Sequence, residues 1–506
     1  MPLFLSSGVG IGVRSWVVII IVNFSFSLLK EPFMRSKSLL LMLIAVFIVF
    51  STVGQYATGL SFNDDVYERT SMISPALKFS SQDLPAYSLK SHCPTPGNQG
   101  SIGSCVGWAT GYAALTISDA VKSGNTSRTS ITGKARSAMY IYFQIAEKCP
   151  DGSVISDALT LVKTKGDCLH AEFGSNPCGT SIPTTIHGQA SQFKIKDYYT
   201  LFNIGATTEQ KISATRNSIA AKKPVVIGMV MTTSFNNVGS AGVYKPWVGE
   251  PSIGGHALTV IGYDDMNKTF ELINSWGTNW GDGGFFKMSY EDYARQVKYG
   301  YQFILEEIGP PTGKEVNLTG NFNFRKFAGY DANNNKYNFA DAPVSFDGKY
   351  YNITNVKVND FFRIRASNVT KDKYVYIFSI KPDKSAELLF PTNKKIDAVT
   401  VKDIPIVPSN NATIEIPVDE KKGLTTDMAG SDMLCILYSA DMINDIDEVV
   451  SKMKGGSGDF LVRLQGALGN RLIPASDIRY DPSVMGLTVK SNRGVIAPII
   501  LKVSVN

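Results

Sequence analysis

A change of hydrophobic period near residue 222 splits the middle of the chain into a helical half and a sheet half. Before it, Trp108, Ala109, Tyr112 and Ala113 recur at three- and four-residue steps, which predicts a helix from Cys105 to about Ala120. Ala135–Glu147, with Met139, Tyr140, Tyr142, Phe143 and Ile145, reads as a second helix, and Ser156–Lys165, stopped by Gly166, as a third. After it, strand-like runs at 224–231, 256–263, 269–276, 284–289 and 302–308 follow one another between Gly and Asp turns. Helices first and strands second predict two lobes with a cleft between them. Cys105 lines that cleft from the helical side.

A Gly-Ser turn delivers Cys105 to the first turn of its helix, where the helix dipole favours the thiolate, the form that attacks carbonyls. Six residues upstream, Gln99 supplies an amide N–H for an oxyanion. The competing reading of Cys105 is a buried thiol filling a helix core. A cysteine nucleophile needs a base, and the chain has four histidines, His92, His170, His187 and His256. His256 opens a strand-like run directly after Gly254 and Gly255; the other three read as surface or turn residues. Phe270, Leu272, Asn274 and Trp276 are expected on one strand face, where a buried Asn274 needs a partner such as the His256 ring, with Trp276 shielding the bond. The competing reading is a glycine-rich turn with a satisfied structural asparagine.

Taken together and in this order, QGSIGSCVGWA, GGHALTVIGYDD and NSWGTNWGDGGFF resemble the papain-like cysteine peptidases over roughly residues 84–309. The resemblance implies an α+β, two-lobed catalytic domain with Cys105 as nucleophile, His256 as general base and acid, Asn274 orienting it and Gln99 in the oxyanion hole. It implies a substrate wall involving Gly152, Ser153, Gly255 and Trp276, a protein or peptide substrate, and neither metal nor organic cofactor. The chain departs from the family at Ile102, where many members have a disulfide cysteine, and at Val106, where a tryptophan usually follows the nucleophile. Asp151-Gly152-Ser153 stands for the usual Asn-Gly-Gly, which puts backbone pairing with substrate there in question, and the long inhibitory pro-region is missing. These features resemble the secreted bacterial branch of the family. A catalytically silent binding or adhesion protein, or an acyl transferase with the same triad, are the alternatives.

The rest of the chain frames that domain. Apolar stretches at Val17–Leu29 and Leu39–Phe50, the second preceded by Met34, Arg35 and Lys37, have the layout of a signal peptide starting at Met34 and cleaved between Ser51 and Ala57. A membrane anchor is the alternative reading of residues 1–57, and both place the remainder outside the cytoplasm, secreted or in the cell envelope. In that compartment Cys93, Cys149, Cys168 and Cys178 are expected to form two disulfides of open connectivity, with Cys105 free and Cys435 buried in a core. A zinc site is the weaker alternative, because no pair has Cys-x-x-Cys spacing. Residues 58–83 are expected as a linker, and the polar stretch Ser61–Leu89, with its leading strand, is a segment able to block one end of the cleft or to cover it before activation.

A Pro/Gly cluster at Gly309–Gly313 marks the next boundary, with 310–317 as a second linker, and residues 318–506 read as short strands with one helix, Asp445–Lys454. This is a mainly β, sandwich-like accessory domain that resembles a domain of unknown function in exported bacterial proteins. It lacks histidine, so binding a surface or partner is its expected role. The net charge is +6, and residues 1–57 carry Arg14, Lys30, Arg35 and Lys37 against Glu31, so only a small basic excess remains beyond them. Such a balance gives no reason to expect nucleic acid as a partner.

Overall fold

The computed structural model describes residues 57–73, 77–79, 84–174, 176–306, 315–396, 399–407, 412–417 and 422–506, which belong to one compact unit. The expected leader up to residue 56, with nearly all of its cleavage range, and the whole Pro/Gly cluster at 309–313 lie outside the described residues. Among the described residues no helix is long and apolar enough to cross a membrane.

The helical lobe is built on the segment that starts at Cys105. It makes one α-turn at Cys105–Gly107, widens to a π-helix at Trp108–Leu115, and returns to an α-helix at Thr116–Ser123, closed by a left-handed Gly124. The π stretch is a departure from the expected regular helix, and all eight of its residues are buried. Helices Ala138–Ile145 and Ile155–Thr164 pack beside it. The approach is close because Gly107 has no side chain: a Cβ there would lie 2.2 Å from the Ala138 carbonyl oxygen.

The sheet lobe is one eight-stranded sheet. Its main path runs Ile195–Thr200, Val297–Leu305, Val225–Thr232, Ser252–Asp264, Thr269–Ile273, Phe285–Ser289 and Val243–Tyr244, with Ala86–Ser88 added beside Ser252–Asp264. The central strand is buried along Ala257–Tyr263, and its start lies between two cores. Ala257 joins the apolar cluster that contains Cys105, whereas Leu258 and Val260 join the one that contains Trp276. Thr259 Oγ1 donates to the Ala109 carbonyl at 2.8 Å, tying sheet to helix. The strand at Thr269 ends at Ile273, so Asn274 and Trp276 lie just past it, not on its face as expected.

Beyond it lies a two-sheet β module. One sheet is centred on the long strand Val316–Asp331, the other on Gly430–Ser439 and Ile496–Val505. Phe322 and Tyr438 meet across the gap at 6.0 Å between ring centroids, and alternate residues Leu318, Phe322 and Phe324 point inward. The expected helix is present at Ile446–Met453, but a second one, Phe460–Leu468, follows it. The isolated single helix of the sequence reading is therefore corrected. Cys435 is fully buried in this core.

Candidate active site

The turn before Cys105 is held by the Gly103 N–H, which donates to the Pro150 carbonyl at 3.0 Å. Cys105 then sits with no solvent exposure under the central strand, and the Ala257 N–H donates to its Sγ at 3.5 Å. The neighbouring His256 is equally buried, and its Nε2 is 2.9 Å from Asn274 Oδ1. That bond assigns Nε2–H as the donor, leaving His256 Nδ1 with no hydrogen-bond partner among the described residues. Trp276 lies at 5.1 Å and Phe235 at 5.8 Å from the imidazole, ring centroid to centroid, closing water out of the bond.

Gln99 lies across the seam. Its Oε1 accepts from Ser275 Oγ at 2.6 Å, which fixes the amide so that Nε2 faces the cleft. The sequence reading missed Ser275, although it stands inside the NSWG motif. It was Asn274 that drew notice there, because an amide in an apolar context is conspicuous and a serine is not. Thus Cys105, His256, Asn274 and Gln99, far apart in the chain, converge at the boundary of the two lobes.

The cleft is filled by the chain's own residues 57–62. Gln99 Nε2 donates to the Ala57 carbonyl at 3.1 Å, the Leu60 N–H donates to Gly255 O at 3.1 Å, and the Ser61 N–H donates to Ser153 O at 2.9 Å. In return the Ser153 N–H donates to Gly59 O at 2.8 Å. Ser153 thus pairs through its backbone with the chain's own Gly59 and Ser61. Gly59 is the only residue type that fits its place: a Cβ would fall 2.0 Å from Gly103 O. Leu60 is buried against Gly228, where a Cβ would press to 2.8 Å from Leu60 Cδ2. The residues that occupy the cleft, 57–62, thus lie mostly N-terminal to the expected covering segment Ser61–Leu89.

This filling is unproductive as chemistry. Attack requires a carbonyl carbon at Sγ with its own oxygen at the Gln99 amide. Here Gln99 Nε2 donates to the carbonyls of Ala57, at 3.1 Å, and Ile102, at 2.9 Å, while the sulfur accepts from the Ala257 N–H. Burial pushes the Cys105 thiol up to about 11, opposed by hydrogen bonds from the Ala257 and Gly59 N–H groups. Burial also lowers His256 to about 4, against the Asn274 bond. The thiolate expected from the helix dipole is therefore overridden in this closed arrangement, because desolvation penalises both charged forms.

The cysteine pairing also differs from expectation. One disulfide, Cys149–Cys178, is formed with Cα atoms 5.6 Å apart, whereas Cys93 and Cys168 are buried free thiols. Their burial separates them from a partner. Of the remaining histidines, His92 bonds Asn125 O at 2.7 Å, His187 bonds Tyr140 at 2.9 Å, and His170 packs tilted against Trp108 and edge-on against Tyr112.

A buried cysteine at the seam of a helical lobe and a sheet lobe, next to a histidine paired with an asparagine, brings together the residue types that thiol chemistry uses. Residues 90–302 match the family described as papain family cysteine protease, and this stretch is a papain-family cysteine peptidase domain. An uncharacterized peptidase C1-like protein of Acanthamoeba polyphaga mimivirus is 27% identical over 225 residues, 42% of this chain and 70% of that protein. A cathepsin L-like proteinase of Fasciola hepatica is 25% identical over 194 residues, 38% of this chain and 55% of that protein. Among solved structures, xylellain, a cysteine protease from Xylella fastidiosa, is 21% identical with a TM-score of 0.41, covering 50% of this chain and 96% of its own.

Proposed function

We propose that the chain is an exported cysteine peptidase that cleaves peptide bonds through Cys105, His256, Asn274 and Gln99. The observation that carries this reading is the bond from His256 Nε2 to Asn274 Oδ1 at 2.9 Å, one residue from the amide that touches Cys105 Sγ at 3.5 Å. In the open enzyme Nδ1 takes the thiol proton and Sγ attacks the substrate carbonyl. Gln99 Nε2 and the Cys105 N–H hold the oxyanion, and the imidazolium protonates the departing amine. Water, deprotonated by His256, then releases the acid from the thioester. Gly152, Ser153, Gly255 and Trp276 form the substrate wall, with Ser153 offering one N–H and one carbonyl to an extended peptide. The Cys149–Cys178 bridge supports an oxidising compartment for this domain, taken to span 84–309, and for its β-rich companion at 318–506.

The test is a peptide-library digest read by mass spectrometry after limited proteolysis of the full chain, with Cys105→Ala and His256→Ala as comparisons. The reading expects cleavage by the parent protein and a loss of several orders of magnitude in each variant. Equal cleavage by Cys105→Ala defeats it.

A further inference from the structure

The segment from Ala57 to Phe79 has two parts with different attachments. Residues 57–62 lie in the cleft through the backbone bonds to Gln99, Gly255 and Ser153. Asn63 then caps the helix Asp64–Arg69, its side chain accepting from the Val66 N–H at 3.2 Å. That helix is built into the enzyme by Tyr67, which is 1% exposed. Tyr67 stacks on Tyr299 at 4.2 Å, donates its hydroxyl to Phe202 O at 2.6 Å and accepts the Gly300 N–H at 3.0 Å. Asp64 pairs with Lys298 at 2.7 Å, and Glu68 accepts the Ile204 N–H at 2.7 Å.

Past the helix, Ser71, Met72 and Ile73 bridge both modules. The Thr200 N–H donates to Ser71 O and the Ile73 N–H to Thr200 O, both at 2.9 Å, on the outer strand of the catalytic sheet. On its other side the Ile404 N–H of the β module donates to Met72 O at 2.8 Å. Leu77–Phe79 then adds an antiparallel strand beside Ala412–Ile416, Leu77 opposite Ile414. Stripping the chain back to residue 84 would remove a buried tyrosine and leave backbone groups of Gly300, Thr200 and Ile404 without partners. Between the two parts, Ser61, Asn63 and Asp64 are exposed. An exposed joint between two held segments is where an endopeptidase finds accessible backbone.

We infer that the cut which opens the cleft falls within residues 61–63, and that Asp64–Ile73 and Leu77–Phe79 stay in the open enzyme as a strand shared by both modules. This rests on the peptidase reading above. The cut is made in trans, since the carbonyl of this segment that reaches the Gln99 amide of the same chain is that of Ala57, at 3.1 Å, and not one from residues 61–63. Hydrolysis breaks one C–N bond with one water, whose hydroxyl goes to the carbonyl carbon and whose proton goes to the new amine. The fragment N-terminal to the cut then leaves, while the capped helix remains.

The full chain is treated in two arms, one with a broad-specificity endopeptidase and one with a trace of its own previously opened form. The N-terminus of the species whose Cys105 reacts fastest with iodoacetamide is read by intact-mass spectrometry. The expected species begins at Phe62 or Asn63 and reacts about tenfold faster or more, the factor for a site open a tenth of the time that becomes fully open. A reactive species that begins beyond Phe79 overturns the inference, as does one that retains Ala57–Ser61 intact. In the opened species Tyr67→Phe, which removes only a hydroxyl, is expected to lower the melting temperature, and an unchanged value counts against the retained strand. Rapid labelling at the expected terminus without peptide cleavage leaves the inference standing and removes the peptidase reading; peptide cleavage by a species starting beyond Phe79 does the reverse.

Discussion

Leu60 and Ser153 pair as parallel strands, with the Ser61 N–H on Ser153 O and the Ser153 N–H on Gly59 O. The wall that would grip an extended substrate is thereby spent on the chain itself. Leu60 is the side chain that anchors this pairing, filling the space left by Gly228 beside Ile155 and Tyr299. Leu60→Asp would place a carboxylate in that apolar space, at a cost of about 1–3 kcal/mol or more without a partner. The cleft segment should lift, so iodoacetamide labelling of Cys105 in the intact chain should rise roughly in proportion, about 5- to 150-fold. An unchanged labelling rate would mean that Leu60 does not hold the segment down.

The pH response of the closed form is set by the two buried groups. His256 has its pKa lowered from 6.5 to about 4, so the neutral ring favours the folded state above pH 6.5, and that contribution is lost as pH falls through about 4. Cys105 is raised from 9.0 to about 11, so its contribution is present below pH 9.0 and lost as pH rises through about 11. Thermal melts of the closed chain should therefore show these two groups destabilising it outside a plateau between about pH 6.5 and 9. His256→Ala and Cys105→Ala should flatten the acid and alkaline flanks respectively. Cys105 alkylation in the closed form should lack a thiolate plateau between pH 5 and 8, in contrast to the opened enzyme. A mildly acidic plateau already present before opening would contradict the burial argument.

How legible this site was depends on whether each signal is local. Cys105, His256, Asn274 and Gln99 sit in short motifs whose turn chemistry is written in neighbouring residues, and their meeting follows from the two-lobe pattern. Ala57–Phe62 reads ATGLSF, with neither period 2 nor period 3.6, because its bonds go to Gln99, Ser153 and Gly255, distant in the chain. No local rule finds such a strand. Two other elements were within reach. Helix Thr208–Ala220 is announced by a capping box, Thr207 with Gln210, but its polar surface gave no apolar stripe. Helix Phe460–Leu468 begins at Asp459, whose side chain accepts from the Leu461 and Val462 N–H groups. Asn274 was misplaced onto a strand because its N–H bonds to Gly284 O at 3.0 Å across a glycine-rich loop, which period 2 cannot detect.

Asn274 holds the His256 ring by a single acceptor in a site that water does not reach. Asn274→Ala removes that acceptor and leaves Nε2–H buried and unpaired, worth about 1–3 kcal/mol, or roughly 5- to 150-fold in kcat/KM of the opened enzyme. The loss should fall mainly on kcat, since Asn274 touches the base and not the substrate wall. Asn274→Asp keeps an acceptor and should recover part of the rate with a shifted pH profile. A loss confined to KM would argue that Asn274 supports the wall instead.

Cys149 and Cys178 close a loop that runs from two residues before Asp151, past Ser153, around helix Ile155–Thr164 and back. The sequence separation is 29 residues, for which loop-closure entropy gives about 3–4 kcal/mol if the native geometry is unchanged on reduction. A thiol reductant therefore acts on this enzyme in two opposed ways: it keeps the nucleophile reduced, and it loosens the wall that presents Ser153. The double variant Cys149→Ser, Cys178→Ser separates them. It should melt at a lower temperature than the parent, raise KM more than it lowers kcat in the opened form, and no longer lose stability when reductant is added. A variant that matches the parent in melting temperature and KM would show that the helices alone keep the Ser153 backbone in place.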